Sequence, residues 1–294
     1  MEFLTRKIAV DTNLFLFGDA HVGTVFHNRK GWLQLIDHMR SKIDSLPVEK
    51  SNLGVDHGDA IDAIDFLDPR FSGESELGTI LNQAEQAKKD RIAVAPQLVC
   101  CLMGNHELKK RAVGNFTMSM CKALNVPYGG YSCKITYKTR GGNYLFKHMA
   151  AHGAKTFNSV ADSPKRRRAN RLLSLARHCI NFPADDSVLM SIGHSHMNDR
   201  AKPESDVYWA DDNGESTARN IKADHTAEYI HPDLRWYVNC GSFLRYALPK
   251  SEQDPENPIF SYAEVRGYRP LRNGYQICKI RSGRVISVEP VWVE

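Results

Sequence analysis

Short, almost wholly apolar runs alternate along this chain with segments of helical period. LFLFGD (14–19), QLVCCLMG (97–104), SVLMSIGHSH (187–196) and RWYVNCGS (235–242) carry consecutive apolar residues, the mark of strands buried on both faces. NLGVDHGD (52–59) is a weaker run of the same kind. Helices are predicted over 29–46, where Trp32, Leu33, Ile36 and Met39 recur at helical spacing, and over 75–90 and 107–124. SCKITYKT and NYLFKHMAAHG flank Arg140-Gly141-Gly142 and read as a hairpin. Asp162-Ser163-Pro164 supplies an N-cap and a first-turn proline for a basic helix over 164–180. The tail from Ser261 alternates like antiparallel strands. This pattern predicts a mixed α/β layer architecture in one domain, 1–294, with a basic helical insertion around 162–182 and a polar excursion around 198–234.

Composition adds limits. With 294 residues, 42% of them hydrophobic, the chain can bury a substantial core. No apolar run approaches the roughly 18 residues of a membrane span, and the start lacks the apolar core of a secretory signal. Seven cysteines form no CxxC pair, and Cys100-Cys101 sit inside an apolar run. They read as free thiols of a cytoplasmic protein without a membrane partner. The net charge of +5 permits an anionic substrate. Lys165, Arg166, Arg167, Arg168, Arg171 and Arg177 crowd one helix. One reading is a solvated outer face with Leu172, Leu175, Ala176 and Cys179 inward. The other is a contact for DNA or RNA through Arg166, Arg167 and Arg168. Tyr208, Trp209, Trp236 and Tyr237 are either core residues or stacking surfaces for bases.

Polar residues gather where the apolar runs end. The first run releases Asp19 and His21, the weak strand releases Asp59 and Asp62, and the third releases Asn105 and His106. HMAAHG releases His152, and SIGHSH releases His194 and His196. Each run ends beside a glycine, which lets the backbone turn sharply. Singly, such features are turns and helix caps; in an α/β sheet, strand ends of one edge share a crevice.

The order Asp19-Ala20-His21, Gly58-Asp59-Ala60-Ile61-Asp62, Gly104-Asn105-His106-Glu107, His152 and Gly193-His194-Ser195-His196 resembles the calcineurin-like metallophosphoesterase superfamily. Asn239-Cys240-Gly241-Ser242 looks like that family's Asn-x-Gly-Ser strand end. The resemblance implies a four-layer αββα sandwich of two mixed β-sheets flanked by helices, and a centre of two divalent metal ions. Asp19, His21, Asp59 and His196 would hold one ion. Asp59, Asn105, His152 and His194 would hold the other, with Asp59 bridging. His106 would face the substrate phosphate. Donors of N and O without thiolate favour Mn²⁺, with Fe, Zn²⁺ or Ni²⁺ as further candidates. Asp62 is placed to orient the His106 ring. His57 is either satisfied by local hydrogen bonds or supports Asp59 from behind.

Departures from the family narrow the substrate. Protein phosphatases of this superfamily carry Arg-Gly where Ala63-Ile64 stand here, and an arginine where Leu108-Lys109-Lys110 stand. A phosphodiesterase acting on nucleic acid or a nucleotide-like diester is therefore expected first. A phosphomonoesterase for small metabolites or nucleotides is the alternative, and a non-catalytic scaffold of the same fold the third reading. His148, four residues before His152, reads as a partly buried strand histidine; His178, His225 and His231 read as surface residues, and His27 and His38 are unplaced. Glu107 reads as a helix-starting carboxylate.

Overall fold

Thr12 to Phe17 is buried at every position, and this double burial generates the layers around it. The computed structural model describes residues 1–64, 68, 77–204 and 207–294. Thirteen strands run in chain order among them. They are β1 (Glu2–Ile8), β2 (Thr12–Phe17), β3 (Asn52–Asp56), β4 (Leu98–Cys101), β5 (Ser132–Thr139), β6 (Tyr144–Ala151) and β7 (Leu189–Ile192). The rest are β8 (Arg200–Ala201), β9 (Val207–Asp212), β10 (Glu215–Asn220), β11 (Trp236–Asn239), β12 (Gly274–Arg281) and β13 (Arg284–Trp292). The helices are α1 (Arg29–Met39), α2 (Val48–Ser51), α3 (Ile80–Ile92), α4 (Asn105–Lys109), α5 (Phe116–Leu124), α6 (Pro164–Cys179) and α7 (Tyr262–Val265).

One sheet has the order β13-β12-β2-β3-β4, the other β1-β5-β6-β7-β11-β8, and both mix parallel with antiparallel pairs. Side chains alternate along each strand. Leu14, Leu16, Leu53 and Val55 of the first sheet meet Ile135, Phe146, Ala150 and Leu189 of the second in one core. Phe15 and Phe17 point the opposite way, onto Trp32, Leu35, Ile36 and Met39 of α1. Met149, Met190 and Ile192 pack outward onto Leu175 and Cys179 of α6. Three cores separated by two sheets make four layers, the αββα sandwich expected from the sequence.

Local chemistry sets the element ends. The helix expected over 29–46 stops at Met39, whose carbonyl accepts from Asn52 Nδ2 (3.0 Å) and Gln97 Nε2 (2.8 Å). The helix expected over 107–124 divides in two: α4 ends at Lys109, and after a turn Asn115 caps α5 by accepting from the Met118 amide (2.9 Å). The start of the segment expected over 75–90 falls outside the described residues; the rest forms α3. Ser163 caps α6, the crossover between the parallel neighbours β6 and β7. Residues 198–234 contribute β8 to the second sheet and the β9–β10 hairpin, on which Tyr208 and Trp209 are exposed. Trp236 is half-buried and Tyr237 is in the core. All seven cysteines are buried and free.

Two histidine expectations are corrected. His148 is wholly buried rather than partly so, and His225 is buried rather than a surface residue. His27 is buried as well, bonded to the Ala20 carbonyl (2.6 Å). Burial pushes His27, His57 and His225 down to about 4 and His148 well below its ordinary value. Because the folded pKa lies below the unfolded one, the unfolded chain binds more protons between the two values. These histidines therefore contribute stability above pH ~6.5 that is lost as pH falls toward 4. The metal-free protein is expected to melt several degrees lower at pH 5 than at pH 7. His225→Phe is expected to make that decline shallower, measured by differential scanning calorimetry.

Candidate metal centre

β2, β3 and β4 are mutually parallel, as are β6 and β7, and the residues that follow these five strands converge. Asp19, His21 and His196 form one close group, and Asp59, His152 and His194 another. His21, Asp59 and His106 form a third, joining the first two. In every group the donor atoms lie within 4.8 Å of one another. Asn105 adds an oxygen, with Oδ1 2.8 Å from His152 Nε2 and 2.7 Å from His194 Nδ1. All seven expected ligands thus come together around Asp59, whose Oδ2 lies 3.4 Å from His152 Nε2 and 3.8 Å from His21 Nε2. Asp19, His21, Asp59 and His152 are buried, whereas Asn105, His106, His194 and His196 are half-buried and form the open side.

Tight backbone turns deliver these side chains. Asp19, His21, Asp59, His194 and His196 all have positive φ, between 48° and 64°. Such left-handed backbone is uncommon for residues with a Cβ and persists where surrounding contacts enforce it. Those contacts are visible: the Asp19 amide donates to the Gly58 carbonyl (2.8 Å), and His21 to that of Asp59 (2.9 Å). The two carboxylate oxygens of Asp19 accept from the His194 amide (3.2 and 2.9 Å). Gly104 is required by closeness, since a Cβ there would meet Asp59 Oδ1 at 1.9 Å.

Hydrogen-bond roles show what the centre needs. His152 Nδ1 faces the His57 carbonyl (2.7 Å), which only accepts, so Nδ1 carries the hydrogen. The neutral ring then turns its Nε2 lone pair toward Asn105 Oδ1 and Asp59 Oδ2. His21 behaves alike: Nδ1 bonds Asp62 Oδ1 (3.1 Å), and Nε2 faces His196 Nε2 (3.2 Å). Converging lone pairs repel unless a cation lies among them. In the bare protein that cation is a proton. Burial opposes charge on His152, but the Asp59 carboxylate outweighs it and lifts the pKa to about 10. For His21, burial is outweighed by the Asp62 hydrogen bond and the Asp59 charge, giving about 9. The same N and O donors, free of thiolate, fit divalent metal ions.

The supporting residues differ from expectation in detail. The Asp62 side chain bonds His21; His106 is bonded by the Asp62 main-chain carbonyl, which lies 2.6 Å from its Nδ1. Asp62 Oδ1 stands farther from that ring, at 3.6 Å. His57 supports the centre through its carbonyl, while its ring points into the sandwich. Arg166, Arg167 and Arg168 do not join the cluster: Arg166 pairs with Asp162 (3.5 Å) and Arg167 bonds the carbonyls of Ala161 and Asp162. Arg168 lies 3.9 Å from Asp199, as Arg171 does at 3.4 Å, in the loop that follows His196.

Three supports were not readable as such. The Tyr131 hydroxyl donates to the Gly153 carbonyl (2.5 Å) while its ring edges against His152; the preceding Gly129-Gly130 is its one sequence signal. The Ser242 hydroxyl donates to the Asp19 carbonyl (3.2 Å). Glu107 does more than start a helix: its carboxylate accepts from the amides of Ala60 (2.7 Å), Ile61 (3.2 Å) and Gly104 (3.0 Å). Burial, joined by the nearby Asp59 charge, pushes that carboxyl up to about 7.

Glu107→Ala leaves three buried amides without an acceptor, each worth about 1–3 kcal/mol. It is expected to destabilise the protein by about 3 kcal/mol or more in urea denaturation, with Glu107→Gln intermediate because it keeps one acceptor oxygen.

No protein-family model matches this chain, and no curated protein matches it.

Proposed function

We propose that the chain is a metal-dependent phosphoesterase that hydrolyses phosphodiester bonds in nucleic acid or a nucleotide-like diester. The observation that carries this reading is the pair of donor sets joined at one carboxylate. Asp19, His21 and His196 lie to one side of Asp59, and Asn105, His152 and His194 to the other. A carboxylate has two oxygens and can bridge two cations, which an imidazole cannot. Two bound ions, Mn²⁺ foremost, would lower the pKa of an attacking water and offset charge on the phosphoryl group.

The protein's own groups complete the chemistry. His106 sits beside the bridging residue, with Nε2 4.0 Å from Asp59 Oδ2, and its amide donates to Asp59 Oδ1 (2.9 Å). Its Nδ1 hydrogen is held by the Asp62 carbonyl, so Nε2 is the atom available to a substrate oxygen. Burial and the neighbouring His21 lower its pKa, favouring the neutral ring. A bound anionic ester reverses that preference and allows Nε2 to pass a proton to the departing oxygen.

The open arginines of α6 favour a polyanionic substrate: the side chains of Arg166 and Arg168 are 74% and 59% exposed. Buried free thiols suit a reducing compartment, which we take to be the cytoplasm. No helix among the described residues is long and apolar enough to cross a membrane.

Hydrolysis of a bis-aryl phosphate, a mono-aryl phosphate and labelled oligonucleotides, each with Mn²⁺ and with chelator, tests the proposal. Diester and oligonucleotide turnover is expected with Mn²⁺ and is lost with chelator. Strong monoester turnover with silent diesters would replace it by a phosphomonoesterase. His106→Ala is expected to retain metal, measured by inductively coupled plasma spectrometry, and to slow turnover by about 10²–10⁴-fold. Changing Arg166, Arg167 and Arg168 to Gln is expected to weaken oligonucleotide binding and flatten its salt dependence; unchanged binding would leave α6 a covering helix only.

A further inference from the structure

Beneath the metal-binding residues, four wholly buried polar side chains run from one sheet to the other. They are Tyr137 on β5, His148 on β6, Ser191 on β7 and His57 just beyond β3. Ser191 Oγ lies 2.6 Å from His57 Nε2 and 2.6 Å from His148 Nε2, and His148 Nδ1 lies 3.4 Å from the Tyr137 hydroxyl.

The direction of every hydrogen follows from one end. His57 Nδ1 faces the carbonyls of Phe17 (3.1 Å) and Val55 (3.2 Å), which only accept, so Nδ1 bears the hydrogen. In the neutral ring Nε2 is then an acceptor, and the Ser191 hydroxyl must donate to it. Ser191 Oγ in turn accepts from His148 Nε2–H, which leaves His148 Nδ1 to accept from Tyr137. Each group is satisfied in one arrangement without any charge.

The chain ends on the ligand-bearing backbone. The His57 carbonyl orients His152, as described above. A Cβ at Gly18 would come within 3.0 Å of the His57 Cβ, and one at Gly193 within 3.2 Å. Gly18 and Gly193 directly precede Asp19 and His194. His57, through its Cβ and main chain, therefore abuts the backbone at three ligand positions drawn from both sheets.

We propose that Ser191 is a positioning residue for the metal centre: its hydroxyl fixes the His57 side chain, whose Cβ lies beside Gly18 and Gly193, and so sets the carbonyl that aims His152. This rests on the metal-centre reading above. A buried serine that serves only stability would affect metal binding in proportion to folding. A positioning residue affects metal binding beyond that, because outer partners of metal-binding histidines typically govern affinity by about 10–100-fold.

The test is Mn²⁺ titration calorimetry on the full chain, with the melting temperature of the metal-free protein and the Mn²⁺ electron paramagnetic resonance spectrum alongside. Ser191→Ala is expected to fold and to lose about tenfold or more in affinity for at least one ion, with an altered spin-coupled spectrum. Ser191→Thr, which keeps the hydroxyl, is expected to recover most of the loss. His148→Phe leaves the Ser191-to-His57 bond available, so it is expected to lower the melting temperature while binding Mn²⁺ nearly as the wild type does. Wild-type affinity in Ser191→Ala, or equal affinity losses in Ser191→Ala and His148→Phe, would overturn the inference. Should Ser191→Ala not fold, His57→Asn carries the same prediction, since its amide still reaches toward the Phe17 carbonyl but loses Ser191. A wild-type protein that binds no Mn²⁺ would overturn the metal centre itself, whereas normal wild-type binding with unaffected variants overturns only the role of Ser191.

Discussion

Asp59 is 1% exposed at the meeting point of two sheets, and the architecture around it follows from what that burial demands. An ionised carboxylate cannot remain buried without positive charge or donors around it. Oδ1 is satisfied by the His106 amide, while Oδ2 faces His21, His106 and His152. Burial disfavours the charge on Asp59, yet the His152 cation opposite holds its pKa well below the ordinary value. Charge density of this kind is stable only if the surrounding loops cannot relax. Glu107 clamps the loop after β3 to the loop after β4, and Gly58 and Gly104 allow those loops to touch. The left-handed turns at five ligand positions belong to the same constraint: they bring side chains from several strands to one point.

A buried ion pair braces this region from the helix side. Arg91 Nε donates to Asp56 Oδ2 at 2.7 Å, with both side chains almost wholly buried, and its guanidinium lies 4.5 Å from the Trp32 ring centre. Asp56 Oδ1 accepts from the Gly58 amide (3.1 Å). The carboxylate one residue before His57 thus joins α3 to the turn that presents Asp59. Removing either partner would leave an uncompensated buried charge next to the loop that carries Asp59, so the brace and the loop stand or fall together.

Much of this was legible because central strands and ligand side chains leave strong marks. β2 and β7 are short, wholly buried and mostly apolar, and each is followed by Gly and then Asp or His. An edge strand leaves a weaker mark: β1 is exposed or half-buried at all but its last position, so no apolar run announces it. The side chains that cluster were readable one by one, yet their supports were not. Glu107 looks like any first-turn carboxylate until the loop after β3 is folded over it. Ser191 and His57 stand 134 residues apart, and no spacing rule relates a serine in an apolar strand to a histidine in another sheet. Asp62 was expected to steer His106 with its carboxylate, but the carbonyl does so; main-chain roles leave no trace in residue type.

The inner and outer residues of the cluster are held in different ways. The buried side, Asp19, His21, Asp59 and His152, is locked by backbone turns and hydrogen bonds from both sheets. The open side carries His194, His196 and His106, and just beyond it the charges become adjustable. Asp199, three residues after His196, lies near both Arg168 and Arg171 of α6. Under the proposed function, a polyanion that drew those arginines off Asp199 would release the loop that follows His196. The rigid interior confines such movement to the open side, because Asp59 is held on both oxygens by buried contacts.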